Sequence, residues 1–196
     1  MEDNQEVFTD TISPITVNID LNERLEPDTP HEALEQNDLA AFREHLDEVV
    51  AVYDLDGNRI SGAEGQVEVI SAGISPVPRC NRRDIPPYEM TAIQTLPATN
   101  NVPGDTRRPV RSAPRQEVDF TALFLGLIRY STPDAGATSD IVVTVAVPHV
   151  AGEYDPALVD IGSKRFETPL MEKGRMVADR ILRTLEVVDD GLFGAD

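Results

Sequence analysis

Apolar and polar residues alternate along several stretches of this chain, and such alternation is typical of β-strands with one buried face. Six stretches are predicted to be strands, in chain order at residues 15–21, 49–55, 66–70, 90–96, 118–130 and 141–147, and of these the first and the third alternate regularly. Within the fifth stretch, residues 120–128 are so continuously apolar that we expect a central strand or one covered on both faces. Asp56-Gly57, after the second stretch, suits a tight hairpin turn, and the segment around Pro133 and Gly136 is typical of a hairpin loop.

Two other stretches show the three- to four-residue spacing of an amphipathic helix. The first covers residues 39–49, with apolar residues on one face. The second begins at Thr168-Pro169, where the threonine can cap the helix and the proline fits its first turn. Gly174 weakens this second helix by about 1 kcal/mol relative to alanine. A strand over residues 181–188 is the alternative.

Strands that follow one another through hairpins, without regular helical crossovers, favour an antiparallel sheet. The predicted fold class is therefore mainly β: an antiparallel sandwich or barrel, jelly-roll-like, with one or two short helices and long arms. The alternative is an α+β fold in which a helix packs on an antiparallel sheet. We expect an acidic N-terminal arm at residues 1–35 and a single β-rich domain at 36–196, which includes an extended Arg/Pro-rich excursion at 76–116.

The chain is strongly acidic, with 35 Asp+Glu against 17 Lys+Arg and a net charge of −18. Only Lys164 and Lys173 are lysines. An acidic surface with few lysines is typical of proteins that work in molar salt, because carboxylates retain water and hydrated cations there. At about 1 M ionic strength the Debye length is only about 3 Å, so the repulsion between the acids is screened. We therefore expect a salt-adapted protein.

The basic residues are unevenly distributed. Residues 1–48 carry fourteen acids and two arginines, whereas residues 76–116 have a net charge of +4 and contain eight of the fifteen prolines. The candidate subunit-contact residues are the seven arginines of the second segment: Arg79, Arg82, Arg83, Arg107, Arg108, Arg111 and Arg115. Arginine makes paired hydrogen bonds to carboxylates that survive screening, so we expect this segment to meet an acidic surface, within one subunit or in a neighbour. Nucleic acid is disfavoured, because phosphate binding falls steeply with salt and Tyr88 is the only aromatic residue of the segment.

The residues that could carry catalysis form no recognised motif. His31, His45 and His149 are scattered, no serine lies in a G-x-S-x-G turn, and there is no glycine-rich phosphate loop. Cys80 is a lone cysteine, and the acidic stretch at 54–58 departs from the spacing of a calcium loop. We therefore expect no enzymatic activity, no bound metal and no cofactor. No apolar run is long enough for a membrane span.

The acidic, lysine-poor composition, the β-rich body and the long arms together resemble structural proteins of viruses that infect halophilic archaea. The resemblance implies a virion building block, a capsid protein that assembles in high salt through symmetric contacts with copies of itself and with other virion proteins. A tail-tube or head–tail connector protein is one alternative, and a halophilic cytosolic enzyme or ligand-binding domain is another. The implied location is the virion, after synthesis in a salt-rich cytoplasm.

Overall fold

The structure is a computed structural model, and it describes residues 5–9, 13–26, 34–54, 57–75, 87–95, 118–131, 138–160, 163 and 165–187. Two α-helices, eight strands and a short 3-10 helix at Pro156–Leu158 lie in these ranges, and the α-helices and strands are numbered here. In chain order they are β1 (Gln5–Thr9), β2 (Thr16–Glu23), α1 (Leu34–Val49), β3 (Gln66–Ile74), β4 (Tyr88–Thr95), β5 (Val118–Ser131), β6 (Thr138–Val150), β7 (Val159–Asp160), β8 (Arg165–Phe166) and α2 (Pro169–Thr184).

Six of the strands form one antiparallel sheet with the order β1-β2-β6-β5-β4-β3. The two longest strands, β5 and β6, occupy its centre and pair from Val118↔Val150 to Ser131↔Thr138. Most residues of β5 are buried. The expectation that residues 120–128 form a central strand is therefore confirmed, because a strand with neighbours on both sides and layers on both faces has almost no exposed position.

The two helices cover opposite faces of this sheet. Side chains of a strand alternate between its faces, and the residues of β5 divide between the helices accordingly. One set packs near Phe42 and Leu46 of α1 and consists of Leu123, Leu125 and Leu127. The other set packs near Met171 and Ala178 of α2 and consists of Phe120, Ala122 and Phe124. We call these two sides the α1 face and the α2 face.

The predicted β-rich antiparallel fold is confirmed, but a jelly roll is not. The described residues build one six-stranded sheet with a helix on each face, and the only other pairings among them are the two-residue pair β7–β8 and an isolated bridge between Tyr53 and Arg59. The covering layers are helices rather than a second sheet, which is the arrangement of the alternative prediction. The strand pattern could not decide this point, because a buried sheet face is apolar whether a sheet or a helix covers it.

The predicted second strand, at residues 49–55, is wrong. Val49 is the last residue of α1, and Tyr53 forms only an isolated bridge with Arg59. The chain does turn back there, at Gly57 with φ 80°. The apolar run Val49-Val50 was compatible with either element, but Val50 is buried in the cluster that α1 forms with the sheet.

The predicted second helix is confirmed. Thr168 is its N-cap, with Oγ1 accepting a hydrogen bond from the Met171 amide at 3.1 Å, and Pro169 lies in the first turn. Gly174 is explained by packing, because a Cβ there would lie 2.4 Å from Cγ2 of Val147. The missing side chain thus lets α2 approach the sheet closely.

Residues 1–35 contribute two strands to the sheet. β1 pairs with β2, and β2 pairs with the central strand β6. The boundary proposed at residue 35 between an arm and a domain stays a prediction.

Candidate functional site

The α1 face contains a buried ion-pair network centred on Arg129. This arginine is 3% exposed and lies opposite Asp140 in the β5–β6 register. Its Nε donates to Asp140 Oδ1 at 3.1 Å and its Nη1 to Asp38 Oδ1 of α1 at 2.5 Å. Nη2 donates to the carbonyl oxygen of Leu25. One guanidinium therefore joins the sheet, α1 and the segment after β2.

Asp140 is the fully buried anion of this network. Burial alone would raise the pKa of Asp140, but hydrogen bonds from His45 and the Leu25 amide, together with the charge of Arg129, outweigh burial and hold that pKa below its ordinary value. His45 Nε2 lies 2.9 Å from Asp140 Oδ2. The carboxylate is thus charged and fully engaged, so its role is to fix its neighbours in place.

Tyr88 connects β4 to the same network. Its hydroxyl donates to Asp38 Oδ2 at 2.7 Å. Burial, and then the hydrogen bond to Asp38, raise the pKa of Tyr88 above its ordinary value. A tyrosine in this state stays protonated and serves as a hydrogen-bond donor.

A cavity of about 410 Å³ lies beside the network, between α1 and the β1–β2 end of the sheet. Its polar lining consists of the carboxylates of Asp20, Glu23 and Glu48 and the amides of Gln5, Asn18 and Asn22. His45 lines it as well, and neither lysine nor arginine does so among the described residues. Arg59 approaches one of the lining carboxylates from an exposed position, with its Nη1 3.7 Å from Glu48 Oε1. The cavity is therefore rich in acceptors and poor in positive charge.

Two buried oxygen atoms at this end of the sheet have no hydrogen-bond partner among the described residues. They are Oδ1 of Asn18, which lines the cavity, and Oγ1 of Thr144. Asn18 and Thr144 lie directly opposite each other in the β2–β6 register, on the same face of the sheet as Val142, which also lines the cavity. A buried acceptor without a donor costs about 1–3 kcal/mol, so these two atoms call for an explanation.

Asp20 is the carboxylate nearest to that pair along β2. Gln5 Nε2 donates to Asp20 Oδ1 at 2.6 Å. Burial raises the pKa of Asp20, and the hydrogen bond from Gln5 and the charge of His45 only partly counteract it. A positive ligand beside Asp20 would lower this pKa again, because an opposite charge favours the ionised form.

A second buried polar group lies on the α2 face, where His149 stacks on Phe120 with ring centroids 4.3 Å apart. Nδ1 of His149 donates to the Val147 carbonyl at 3.0 Å, so Nε2 accepts from the Thr168 hydroxyl, 2.6 Å away. Thr168 also caps α2, and both partners are thus fully used. Burial lowers the pKa of His149. This pair holds the start of α2 against the sheet.

All seven arginines predicted as subunit contacts lie outside the described residues, as do Cys80 and His31. Their assignment stays a prediction. The sequence analysis missed Arg129, Asp140 and Asn18. The available signal was a pair of opposite charges at the ends of two strongly apolar strands, at positions that an antiparallel hairpin brings together.

Within the described ranges, no group of three or more His, Cys, Asp or Glu residues is placed to hold a metal ion. Neither described helix is long and apolar enough to cross a membrane.

The fold resembles that of a known protein although the sequence does not. No protein-family model matches the chain, and no curated protein matches it. The crystal structure of the Ran-binding protein Mog1p of Saccharomyces cerevisiae matches with a TM-score of 0.53 and 16% identity, over 99% of this chain and 84% of that chain. At this identity the likeness establishes a shared fold.

This likeness corrects the predicted function. The fold is shared with a Ran-binding protein of a yeast cell, so the expected virion building block, whether capsid, tail or connector protein, is wrong. The virion location is wrong for the same reason. The prediction was wrong because an acidic composition relates to the salt concentration in which a protein works. The resemblance used it as evidence for a class of viral proteins.

Proposed function

We propose that this protein is a non-catalytic binding protein whose partner is a protein with a basic surface, and that it binds this partner on its acidic α1 side. The observation that carries the proposal is the cavity between α1 and β1–β2, which presents three carboxylates and has no lysine or arginine in its described lining. Opposite charge on a partner would complement this surface and guide its approach.

The exposed side of α1 extends the acidic surface. Its exposed acids are Glu35, Glu44, Asp47 and Glu48, and its only basic residue is Arg43. In molar salt a diffuse field is screened within a few ångströms. Affinity therefore has to come from short contacts, and a cavity lined by acceptors provides a place for them.

The chemistry of the cavity favours binding over catalysis. Its described lining has no hydroxyl or thiol group that could act as a nucleophile. Nε2 of His45 is hydrogen-bonded to Asp140, and the carboxylate of Asp140 also forms an ion pair with Arg129. The fold of the Ran-binding protein Mog1p supports a protein-binding role as an analogy, since a fold by itself does not specify function.

The proposal is tested by neutralising the acids of the cavity rim. Glu23→Gln with Glu48→Gln removes two charges there, and Glu172→Gln with Asp179→Asn removes two charges from α2 as a matched control. Proteins retained from the native cell extract at about 1 M KCl are identified by mass spectrometry, and each is purified and its affinity measured for the three forms. We expect a directly binding, basic protein that loses affinity about tenfold or more with the rim variant only. Equal binding to both variants, or no direct binder, would refute the proposal.

Adaptation to molar salt is also proposed, on the basis of the net charge of −18. The free energy of unfolding in urea should rise as KCl is increased toward about 1 M, because the repulsion between the acids is screened. A free energy that is independent of KCl would contradict salt adaptation.

We also propose self-association, in which the arginine-rich segment 76–116 of a second copy is the basic partner that binds the acidic α1 side. Replacing Arg107, Arg108 and Arg111 by serine should then lower the sedimentation coefficient of the chain at about 1 M KCl. An unchanged sedimentation coefficient would show that the partner is a different protein.

A further inference from the structure

We propose that β1 is a contact between two copies of this chain, which join their sheets by antiparallel pairing of β1 with β1 across a two-fold axis at Val7. The proposal goes beyond the proposed function, because it uses the edge of the sheet rather than the acidic α1 side. It does not depend on a basic partner.

β1 is an edge strand that is exposed on both faces. Among the described residues it pairs only with β2, so its outer side meets no other strand there. All five of its residues are exposed. Two of them are large and apolar: Val7 is 57% exposed on the α1 face, and Phe8 is 52% exposed on the α2 face. A strand edge of this kind is a template for pairing with a further strand.

The other edge strand of the sheet, β3, is less suited to such pairing. β3 has a register shift between Val69 and Ser71, and irregularities of this kind bend an edge and interrupt its pairing. β1 pairs with β2 along its whole length without a shift, and it contains neither proline nor lysine. Of the two edges, β1 is therefore the one that can add a strand.

The sequence of β1 is complementary to itself in one register. The two-fold axis of an antiparallel pair is perpendicular to the sheet, so both copies keep their α1 faces on the same side and residues of like face lie opposite each other. With Val7 opposite Val7 of the second copy, all five residues are paired, Glu6 with Phe8 and Gln5 with Thr9. A shift that preserves the faces pairs at most three residues. In one direction it also places Glu6 opposite Glu6 of the second copy, which is unfavourable.

The same register covers both exposed apolar side chains. The two Val7 side chains meet directly on the α1 face. The two Phe8 side chains are diagonal neighbours on the α2 face, about 7–8 Å apart, a separation that aromatic side chains can bridge. In molar salt the repulsion between two chains of net charge −18 is screened, whereas apolar contacts and backbone hydrogen bonds persist. A second copy therefore fits this edge in pattern, charge and solvent.

Disulfide cross-linking tests the register. Directly opposite residues of an antiparallel pair have Cα atoms about 4.5–5.5 Å apart, within the range of about 4.4–6.8 Å that a disulfide spans. Val7→Cys, in a chain with Cys80→Ser, should therefore form a covalent dimer under mild oxidation at about 1 M KCl. Thr9→Cys is the matched control. Its two thiols would lie at least about 13 Å apart, so it should cross-link at least about tenfold more slowly.

A mixture of two variants tests the same register independently. Gln5→Cys and Thr9→Cys, each in a chain with Cys80→Ser, should give the mixed dimer, because Gln5 of one copy lies opposite Thr9 of the other. Neither variant alone should cross-link at a comparable rate. Positions 5, 7 and 9 are exposed, so these substitutions leave the core unchanged.

Sedimentation equilibrium measures the dimer without a cross-link. One five-residue strand is a small protein interface, so the dimer should dissociate on dilution. All chains compared carry Arg107→Ser, Arg108→Ser and Arg111→Ser, which removes the contact proposed for the arginine-rich segment. Val7→Lys should raise the dimer dissociation constant about tenfold or more, because two like charges replace the central apolar pair. Ile74→Lys, at a position of β3 that is 47% exposed, should leave the constant unchanged.

The outcomes decide this proposal separately from the proposed function. A dimer that Val7→Cys cross-links faster than Thr9→Cys, and that Val7→Lys alone weakens, supports it, whether or not a basic partner is found. Equal cross-linking rates, no mixed dimer, equal effects of the two lysine variants, or a monomer at every protein concentration overturns it. A monomer would assign the β1 edge to a strand from another protein.

Discussion

On the α2 face, two glycines let the helix approach the apolar side chains of the sheet closely, whereas the α1 face has a buried ion-pair network, a polar cavity and the unpaired oxygens of Asn18 and Thr144. Gly174 and Gly126 let α2 approach so closely that a Cβ at either position would lie within 2.5 Å of Val147 or Leu182. On the other face, the buried charged residues Arg129 and Asp140 lie opposite each other near one end of the otherwise mainly apolar strands β5 and β6.

The difference shows two ways of using one sheet. The α2 face gains stability from burial of apolar surface, at about 25 cal/mol per Å². On the α1 face, buried charges and unpaired acceptors cost stability. The buried network fixes the position of α1, and a polar cavity lies beside it. Costs of this kind in a natural protein are typical of functional sites.

The largest effect is expected where a buried charge loses its partner. Arg129→Met should lower the free energy of unfolding by about 3–5 kcal/mol, because the buried carboxylate of Asp140 loses its arginine partner and keeps only the hydrogen bonds from His45 and the Leu25 amide. Urea unfolding at constant KCl measures this change. The matched control is Arg175→Met, which removes an exposed guanidinium 5.8 Å from the ring centre of Phe124 and should cost about 1 kcal/mol or less. Equal losses for the two variants would contradict a structural role of the network.

A smaller loss is expected from crowding the α2 face. Gly174→Ala should destabilise the protein by about 1–3 kcal/mol, although alanine alone favours a helix by about 1 kcal/mol. The reason is the clash of the new methyl group with Val147. Gly73→Ala in β3, where no atom lies within 4 Å of the added methyl, is the control and should change the free energy by about 0.5 kcal/mol or less. A stabilised Gly174→Ala protein would show that α2 is not closely packed.

Acid should weaken the α2 face through His149. Its pKa is lowered by burial from the ordinary value of 6.5, so below pH 6.5 the unfolded chain binds a proton that the folded protein excludes. The free energy of unfolding should therefore fall as pH decreases through and below 6.5. His149→Gln should be less stable at neutral pH and should show a shallower fall with acid. Parallel pH profiles for the two proteins would assign the acid sensitivity to other groups.

The smallest effect compares the same substitution on the two faces. Thr144→Val removes an unpaired oxygen, so stability should stay unchanged or rise by up to about 1 kcal/mol. Thr168→Val removes a hydroxyl that caps α2 and donates to His149, and it should cost about 1–2 kcal/mol. Equilibrium unfolding of both variants measures the contrast. A marked loss with Thr144→Val would mean that its hydroxyl has a partner in the folded protein.

Much of the sheet could be predicted from the sequence because its evidence is local. Alternation located β2 and β3, the strongly apolar stretches located β5 and β6, and Thr168-Pro169 marked the start of α2. The segment at Val49-Val50 was wrong because two β-branched residues at the end of a helix look like the start of a strand.

The site could not be predicted in the same way, because its parts meet only in three dimensions. Asn18 and Thr144 are far apart in sequence and become neighbours through the β2–β6 register. Arg129 and Asp140 stand closer, but only the folded hairpin shows that both are buried. The sequence analysis placed the binding site in the positively charged residues 76–116. The cavity instead is lined by carboxylates and has no lysine or arginine in its described lining.

The most direct measurement of the central claim is the affinity of a basic partner protein for the unchanged chain and for the variant with Glu23→Gln and Glu48→Gln, at about 1 M KCl. The account predicts an affinity about tenfold or more lower for the variant, because these two carboxylates line the cavity between α1 and β1–β2. An unchanged affinity would contradict the claim that the α1 face is built for binding.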